Sequence, residues 1–434
     1  MLLRSSLLLL VLLPSLVFAG ALRVVDDAVL VFSAEDFPDA VGKNIQRLSV
    51  VRWQDDDFVP VPFQIDEMDR VSLVWFEQSG FERLGSSGLF DQADQLLLMA
   101  RDAGLAAPDT ARLSEGELLS RIRITPPGED ARYFYLAKDN SQRNLDHYVS
   151  HDPLTGVTST AHYVLTTDPS NELNWQYLGY SGYRGRADAS LIDTLKMRMS
   201  GGVLLRFPRV TLDNNNLKPT LIGFRIGQIR SVMHLETRVV FAGLPMMTLH
   251  VQAHRYANHY EAHTYARIPG LYRSTLRNPQ VSVSIDGNNL TGATVRTARG
   301  DGLIGHVDGR MDEDERKLVK RGLSSDESWI LFDSHKGFAL LTELDVPIEL
   351  HGIPLELVYQ DDKNLNVKPE QYPGQLPNLG YALNGWPEQD EMRFSVRMFF
   401  DRAFGSLPPE EYVSLRTGRA LAVQIESMLV ADGL

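Results

Sequence analysis

Between His250 and Tyr265 the chain reads HVQAHRYANHYEAHTY, with polar and small apolar positions alternating on both sides of Ala257-Asn258. A period of two predicts strands, and a two-residue reversal at Ala257-Asn258 predicts a hairpin in which residues whose numbers sum to 515 face each other. His254 then meets Glu261, Gln252 meets His263, His250 meets Tyr265 and Tyr256 meets His259, all eight on one face. The other face carries Leu249, Val251, Ala253, Arg255, Tyr260, Ala262, Thr264 and Ala266. It is smaller and more apolar, so the alternation has a direction.

The same period runs through most of the chain. From Leu22 to Asp69 it predicts short strands in LRVVDDAVLVF, IQRLSVVRW and FVPVPFQID, separated by the turn clusters AEDFPD and QDDD. RIRIT (121–125) and ARYFYLA (131–137) around PPGED read as a hairpin. Asn140–Tyr180 is polar, with one strand-like run, TAHYVLTT, and reads as a connector. From Ser190 onward nearly every segment is a strand, and only Asp312–Arg321 and a segment from Pro409 read as helices. The expectation is an all-β protein: a small β-sandwich over residues 22–165, then a large antiparallel β-sandwich over 166–434.

Residues 1–21, MLLRSSLLLLVLLPSLVFAGA, have an early cation, an apolar run too short to span a bilayer, and small residues at the end. They predict a cleavable signal peptide and a periplasmic or secreted protein. No cysteine lies near the cleavage site to carry a lipid anchor, and no later segment is apolar enough to form a membrane-spanning helix. The complete absence of cysteine excludes disulfides, so stability must come from a packed core or bound ions. A formal net charge of −13 argues against nucleic acid as a partner. A polysaccharide or another envelope protein remains compatible with it.

VPFQIDE (61–67), followed by the DxxDxLLLMAxDxG stretch from Asp91, resembles a recurrent pattern in uncharacterised secreted bacterial β-sandwich proteins. That resemblance implies export and a sandwich and carries no catalytic residue. The second half is similar in size and make-up to the supersandwich of sugar mutarotases and polysaccharide lyases, which is likeness of fold alone.

No GxSxG elbow, P-loop, HExxH or helix-opening GxGxxG is present. The absence of any reaction signature makes a non-catalytic binding or envelope-interaction protein, recognising carbohydrate, the first expectation, with a polysaccharide-lyase-like enzyme as the alternative. Candidate chemistry falls on the ribbon, for which three readings compete. Its polar face can be solvated. It can bind zinc through His254, His259, His263 and Glu261, because opposed and diagonal positions lie within about 5–7 Å of one another. Or it can perform acid–base chemistry on an acidic sugar, with His254 or His263 as base, Tyr256 or Tyr265 as acid, Glu261 in support and Gln252 or Arg255 as neutraliser. Asp91, Asp94 and Asp102 around LLLMA form a candidate calcium site, weighed against turn-forming aspartates. Trp175, Tyr177 and Tyr180 are candidate platforms for sugar rings, weighed against packing between domains.

Overall fold

The computed structural model describes residues 24–186, 189–203, 209–367, 374 and 376–428. The expected export signal at residues 1–21 lies outside the described residues. Strand makes up 49% and helix 11%, and the protein is all-β. Glu313–Arg321, Pro409–Arg416 and the short Gly270–Thr275 are α-helices, and the last of these has no signal in the strand-rich pattern around it. Asp312 caps the first of them in a reciprocal box with Glu315, as the acids-before-bases order predicts.

The N-terminal module packs two sheets. One has three strands, β1 (Val29–Ser33), β2 (Gln64–Asp66) and β3 (Gln95–Met99), with β3 in the middle. The other has five, including the predicted hairpin Glu117–Thr125 and Arg132–Lys138, and its edge strand Ala422–Ser427 comes from the far end of the chain. Between the sheets lie Leu30, Phe32, Leu96, Leu98, Ile122, Ile124 and Phe134. The unbroken apolar run LLLM in β3 follows from its position. Leu96 and Leu98 face this core while Leu97 and Met99 face the second module, so the strand is buried on both sides.

The second module is a sandwich built on a nine-stranded antiparallel sheet. In chain order its main strands are β4 (Leu217–Ile226), β5 (Arg230–Phe241), β6 (Leu244–Tyr256), β7 (His259–Arg267), β8 (Ala339–Asp345) and β9 (Glu391–Asp401). They lie side by side as β4-β5-β6-β7-β9-β8, followed by three short strands. One face of this sheet packs through Leu249, Val251, Ala253, Tyr260 and Ala266 against a five-stranded and a four-stranded sheet.

The four-stranded sheet corrects the reading of Asn140–Tyr180 as a connector. Its strands are Val149–Asp152, Val157–Thr160, Tyr163–Asp168 and Asn171–Tyr180, and residue 165 lies inside the third. The segment looked polar because only alternate positions, such as Tyr163, Leu165, Leu173 and Trp175, enter the core. Trp175 is 2% exposed and meets Tyr260 edge-on at 4.8 Å. It is a core side chain and not a sugar platform, and Tyr177 and Tyr180 beside it are half-buried.

Candidate active site

The ribbon is the hairpin β6–β7, with the two-residue turn at Ala257-Asn258. Its register pairs Gln252 with His263, His254 with Glu261 and His250 with Tyr265, the pairing that the alternation predicts. The polar face is not solvated. Gln252 is 0% exposed and His254 and His259 are 3% exposed, because the three-stranded sheet and the Met68–Phe81 loops lie over it. A local alternation cannot reveal this cover, which comes from a part of the chain about 160–180 residues away.

Arg230, the first residue of β5, organises the covered face. Its Nε donates to Asp66 Oδ2 at 2.9 Å, Nη2 to Gln95 Oε1 at 2.9 Å, and Nη1 to both Tyr256 Oη at 2.9 Å and His254 Nδ1 at 3.2 Å. Gln64 supports the arrangement. Its Oε1 accepts from the backbone N–H groups of Ile229 and Arg230, and its Nε2 donates to Asp66. A Cβ at Gly227 would lie 2.0 Å from Gln64 Oε1, so the glycine admits that side chain. The QID of VPFQIDE is thus the anchor of a buried arginine. Burial alone would raise the pKa of Asp66, but Arg230 and Arg225 outweigh it and hold the carboxyl below its ordinary range.

These bonds assign the ring nitrogens of His254. A guanidinium only donates, so Nδ1 is an acceptor and Nε2 carries the proton, which it donates to Gln252 Oε1 at 3.1 Å. Gln252 is fixed in this orientation because its amide pairs with both the N–H and the C=O of Val74. Its Nε2 continues to His234 Nδ1 at 3.1 Å, and His234 to His250 at 3.2 Å. Desolvation, reinforced by His263 and Arg230, holds His254 well below the ordinary histidine pKa, so it is neutral.

Glu261, His263 and Arg397 carry the reactive geometry. His263 Nε2 donates to Glu261 Oε2 at 2.9 Å, and Tyr256 Oη donates to the same oxygen at 3.2 Å. His259 is stacked between Tyr256, at 4.0 Å, and Phe399, at 5.0 Å, with its Nε2 3.7 Å from Glu261 Oε1. Burial would raise the pKa of Glu261, but the His263 hydrogen bond and the charge of Arg397 act against it and keep the group a carboxylate. The His263 side chain is 29% exposed, and its Nδ1 has no hydrogen-bond partner among the described residues. A carboxylate that fixes Nε2–H leaves Nδ1 as the basic lone pair.

The residues open into a cleft of about 430 Å³ between the two modules. His254, Tyr256, His259, Glu261 and His263 line it, together with Arg230, Arg397, Arg416 and Arg419. The carboxylates that pair with Arg230, Arg416 and Arg419, namely Asp66, Asp401 and Glu343, are not lining residues. The wall turned to a ligand presents four guanidinium groups, each with a carboxylate partner: three of the partners stand behind the wall, and Asp345, the partner of Arg397, stands on it beside Glu261.

Several sequence-based assignments are corrected. Arg255 points to the opposite face, where it pairs with buried Glu172 and meets His151 at 3.0 Å, so it cannot neutralise a substrate in the cleft. Tyr265 is held under Phe81 and Arg393, two cross-strand pairs beyond Gln252/His263. The calcium reading fails on geometry: β3 separates Asp91 and Asp94 from Asp102. Asp94 accepts from the backbone of Asp91 and Met68, Asp91 from that of Ser86, and Asp102 from Tyr148 Oη. Arg230 and Arg397 were not singled out from the sequence, although Arg393, Ser395 and Arg397 alternate visibly in MRFSVRMFF.

The zinc reading has support in position only. Ligand atoms of His254, Glu261 and His263 lie within 4.8 Å of one another. His254, however, uses Nε2–H on Gln252 and accepts at Nδ1 from Arg230, and a nitrogen that accepts from a guanidinium has no lone pair left for a cation. His259 is held between rings. Accordingly, Zn²⁺ added after EDTA treatment is expected to leave the melting temperature unchanged. A bound ion at 100 times its Kd would stabilise by about 2.7 kcal/mol, so a clear upward shift that disappears in His254→Ala would restore the metal reading.

The sequence matches no protein-family model and no curated protein. Among solved structures, an alpha-mannosidase from Enterococcus faecalis V583 is similar at 10% identity over 92% of this chain, with a TM-score of 0.47. This chain spans 44% of the length of that mannosidase. The Slr1438 protein from Synechocystis sp. PCC 6803 is similar at 13% identity over 60% of this chain and 97% of its own, with a TM-score of 0.34. A GalM/aldose epimerase homologue from C. elegans is similar at 10% identity over 57% and 97%, with a TM-score of 0.28. At these identities no residue role is carried across.

Proposed function

We propose that the cleft binds an acidic polysaccharide and cleaves it by β-elimination. The observation that carries this reading is the Glu261–His263 dyad standing beside Arg397 in a cleft whose wall presents cations. Arg397 neutralises the sugar carboxylate and so acidifies the proton on the adjacent carbon. His263 Nδ1 takes that proton. The electron pair forms a carbon–carbon double bond, and the bond from the β-carbon to the glycosidic oxygen breaks. Tyr256 gives the leaving oxygen its proton, with Arg230 stabilising the phenolate that forms. Glu261 Oε2 touches both His263 and Tyr256, so the imidazolium passes its Nε2 proton to the phenolate along that path and keeps the abstracted proton on Nδ1. Proton exchange with solvent at the exposed ring restores the starting tautomer of His263, and atoms and charge balance without metal or redox partner.

A binding role without turnover, toward a polysaccharide or an envelope protein, is favoured by one observation. Tyr256 is only 2% exposed and its proton is already directed at Glu261. Both readings rest on recognition of an anion and share a test. Polyuronates are expected to raise the melting temperature, whereas the same polymers with their carboxyl groups esterified are not. Equal shifts with charged and esterified polymers would remove the anion from both readings.

A further inference from the structure

On β9, Arg393, Ser395 and Arg397 point to the same face as the ribbon, and they lie opposite Tyr265, His263 and Glu261 respectively. A second hollow of about 280 Å³ opens over Arg393 and Tyr265, and it shares His263, Ser395, Asp345 and Ser72 with the main cleft. The two are one groove, with His263 at the junction. Arg393 is held ready in the outer part: it stands over the Tyr265 ring at 5.7 Å and donates to Ser72 Oγ at 3.2 Å. Its ion pair with Glu391 is long, at 3.3 Å, and both side chains are more than a third exposed, so a ligand anion can replace Glu391 at little cost. Arg397 is likewise paired with the exposed Asp345 at 3.2 Å.

Four residues along a strand separate Arg393 from Arg397 by about 13 Å, more than one pyranose ring can bridge. We infer that the groove grips an acidic polysaccharide at two points, Arg397 on one side of His263 and Arg393 on the other. The bond beside His263 is then internal to the polymer, and the site prefers chains of several sugars to dimers. This inference rests on the β-elimination reading for its chemistry but not for its binding.

The test uses oligouronates from dimer to hexamer with the wild type and Arg393→Ala, reading both turnover and melting temperature. In the wild type, kcat/KM rises with length beyond the dimer. Arg393→Ala lowers it about tenfold or more on the hexamer, the size of a lost charge-assisted contact, and leaves the dimer unchanged. Equal loss at all lengths, or no loss on the hexamer, would overturn the two-point groove. If no oligomer is turned over, the elimination reading falls by itself. The groove is then judged by melting: a hexamer shift reduced in Arg393→Ala sustains it, and an unreduced one removes it.

Discussion

Asp66→Ala is expected to lower the stability of the protein by about 3–5 kcal/mol, because it leaves the Arg230 guanidinium buried without its ionic partner. Gln95, Tyr256 and His254 still accept from Arg230, but none of them is an anion in its resting state. The double variant Asp66→Ala/Arg230→Met should be less destabilised than the single one, since it removes both charges. The loss also has a pH signature. The folded-state pKa of Asp66 is depressed, so its contribution is present above the unfolded value of about 3.9 and is lost as pH falls through the folded value. The gap between wild type and Asp66→Ala should therefore be widest near neutrality and close below about pH 4. Urea unfolding at several pH values measures it. A loss under about 1 kcal/mol at pH 7, the range of an exposed pair, would mean that Asp66 does not hold Arg230.

The second large effect is on turnover. His263→Ala removes the general base and is expected to lower kcat by about 10²- to 10⁴-fold, with KM nearly unchanged, because the proton transfer is made only in the transition state. At 29% exposure its loss should leave the melting temperature within a few degrees of wild type, so the effect is separable from folding. Arg397→Ala should differ in kind, raising KM as well as lowering kcat, because its contact with the carboxylate begins in the bound substrate. A fall in kcat under tenfold in His263→Ala would take the base assignment away from it.

The ribbon was readable because its signal is local. A two-residue turn within the alternation from Leu249 to Ala266 sets His254 against Glu261 and Gln252 against His263, whereas a three-residue turn with a bulge would scatter the cluster over both faces; the structure has the two-residue turn. What covers the ribbon is non-local. Nothing near Gln252 announces that its amide pairs with the backbone of Val74, or that Asp66 reaches across to Arg230. The run LLLM did hold a clue, since a strand apolar at every position asks for burial on both faces, and both faces of β3 are buried. Trp175 left a sugar platform and packing both open, for the reverse reason. Among polar neighbours it resembled a surface aromatic, but its own face of the strand enters the core. Arg397 carried its alternation in plain view, and its importance depends on the pairing of β7 with β9, which no pattern within β9 records.

The most direct measurement is the ultraviolet absorbance of unsaturated uronyl ends, followed while the wild type is held at saturating concentration with the polyuronate that raises its melting temperature most. The account predicts a steady rise in absorbance, suppressed in His263→Ala. Saturated binding with no rise would contradict it and leave a cleft that holds an acidic polymer without cutting it.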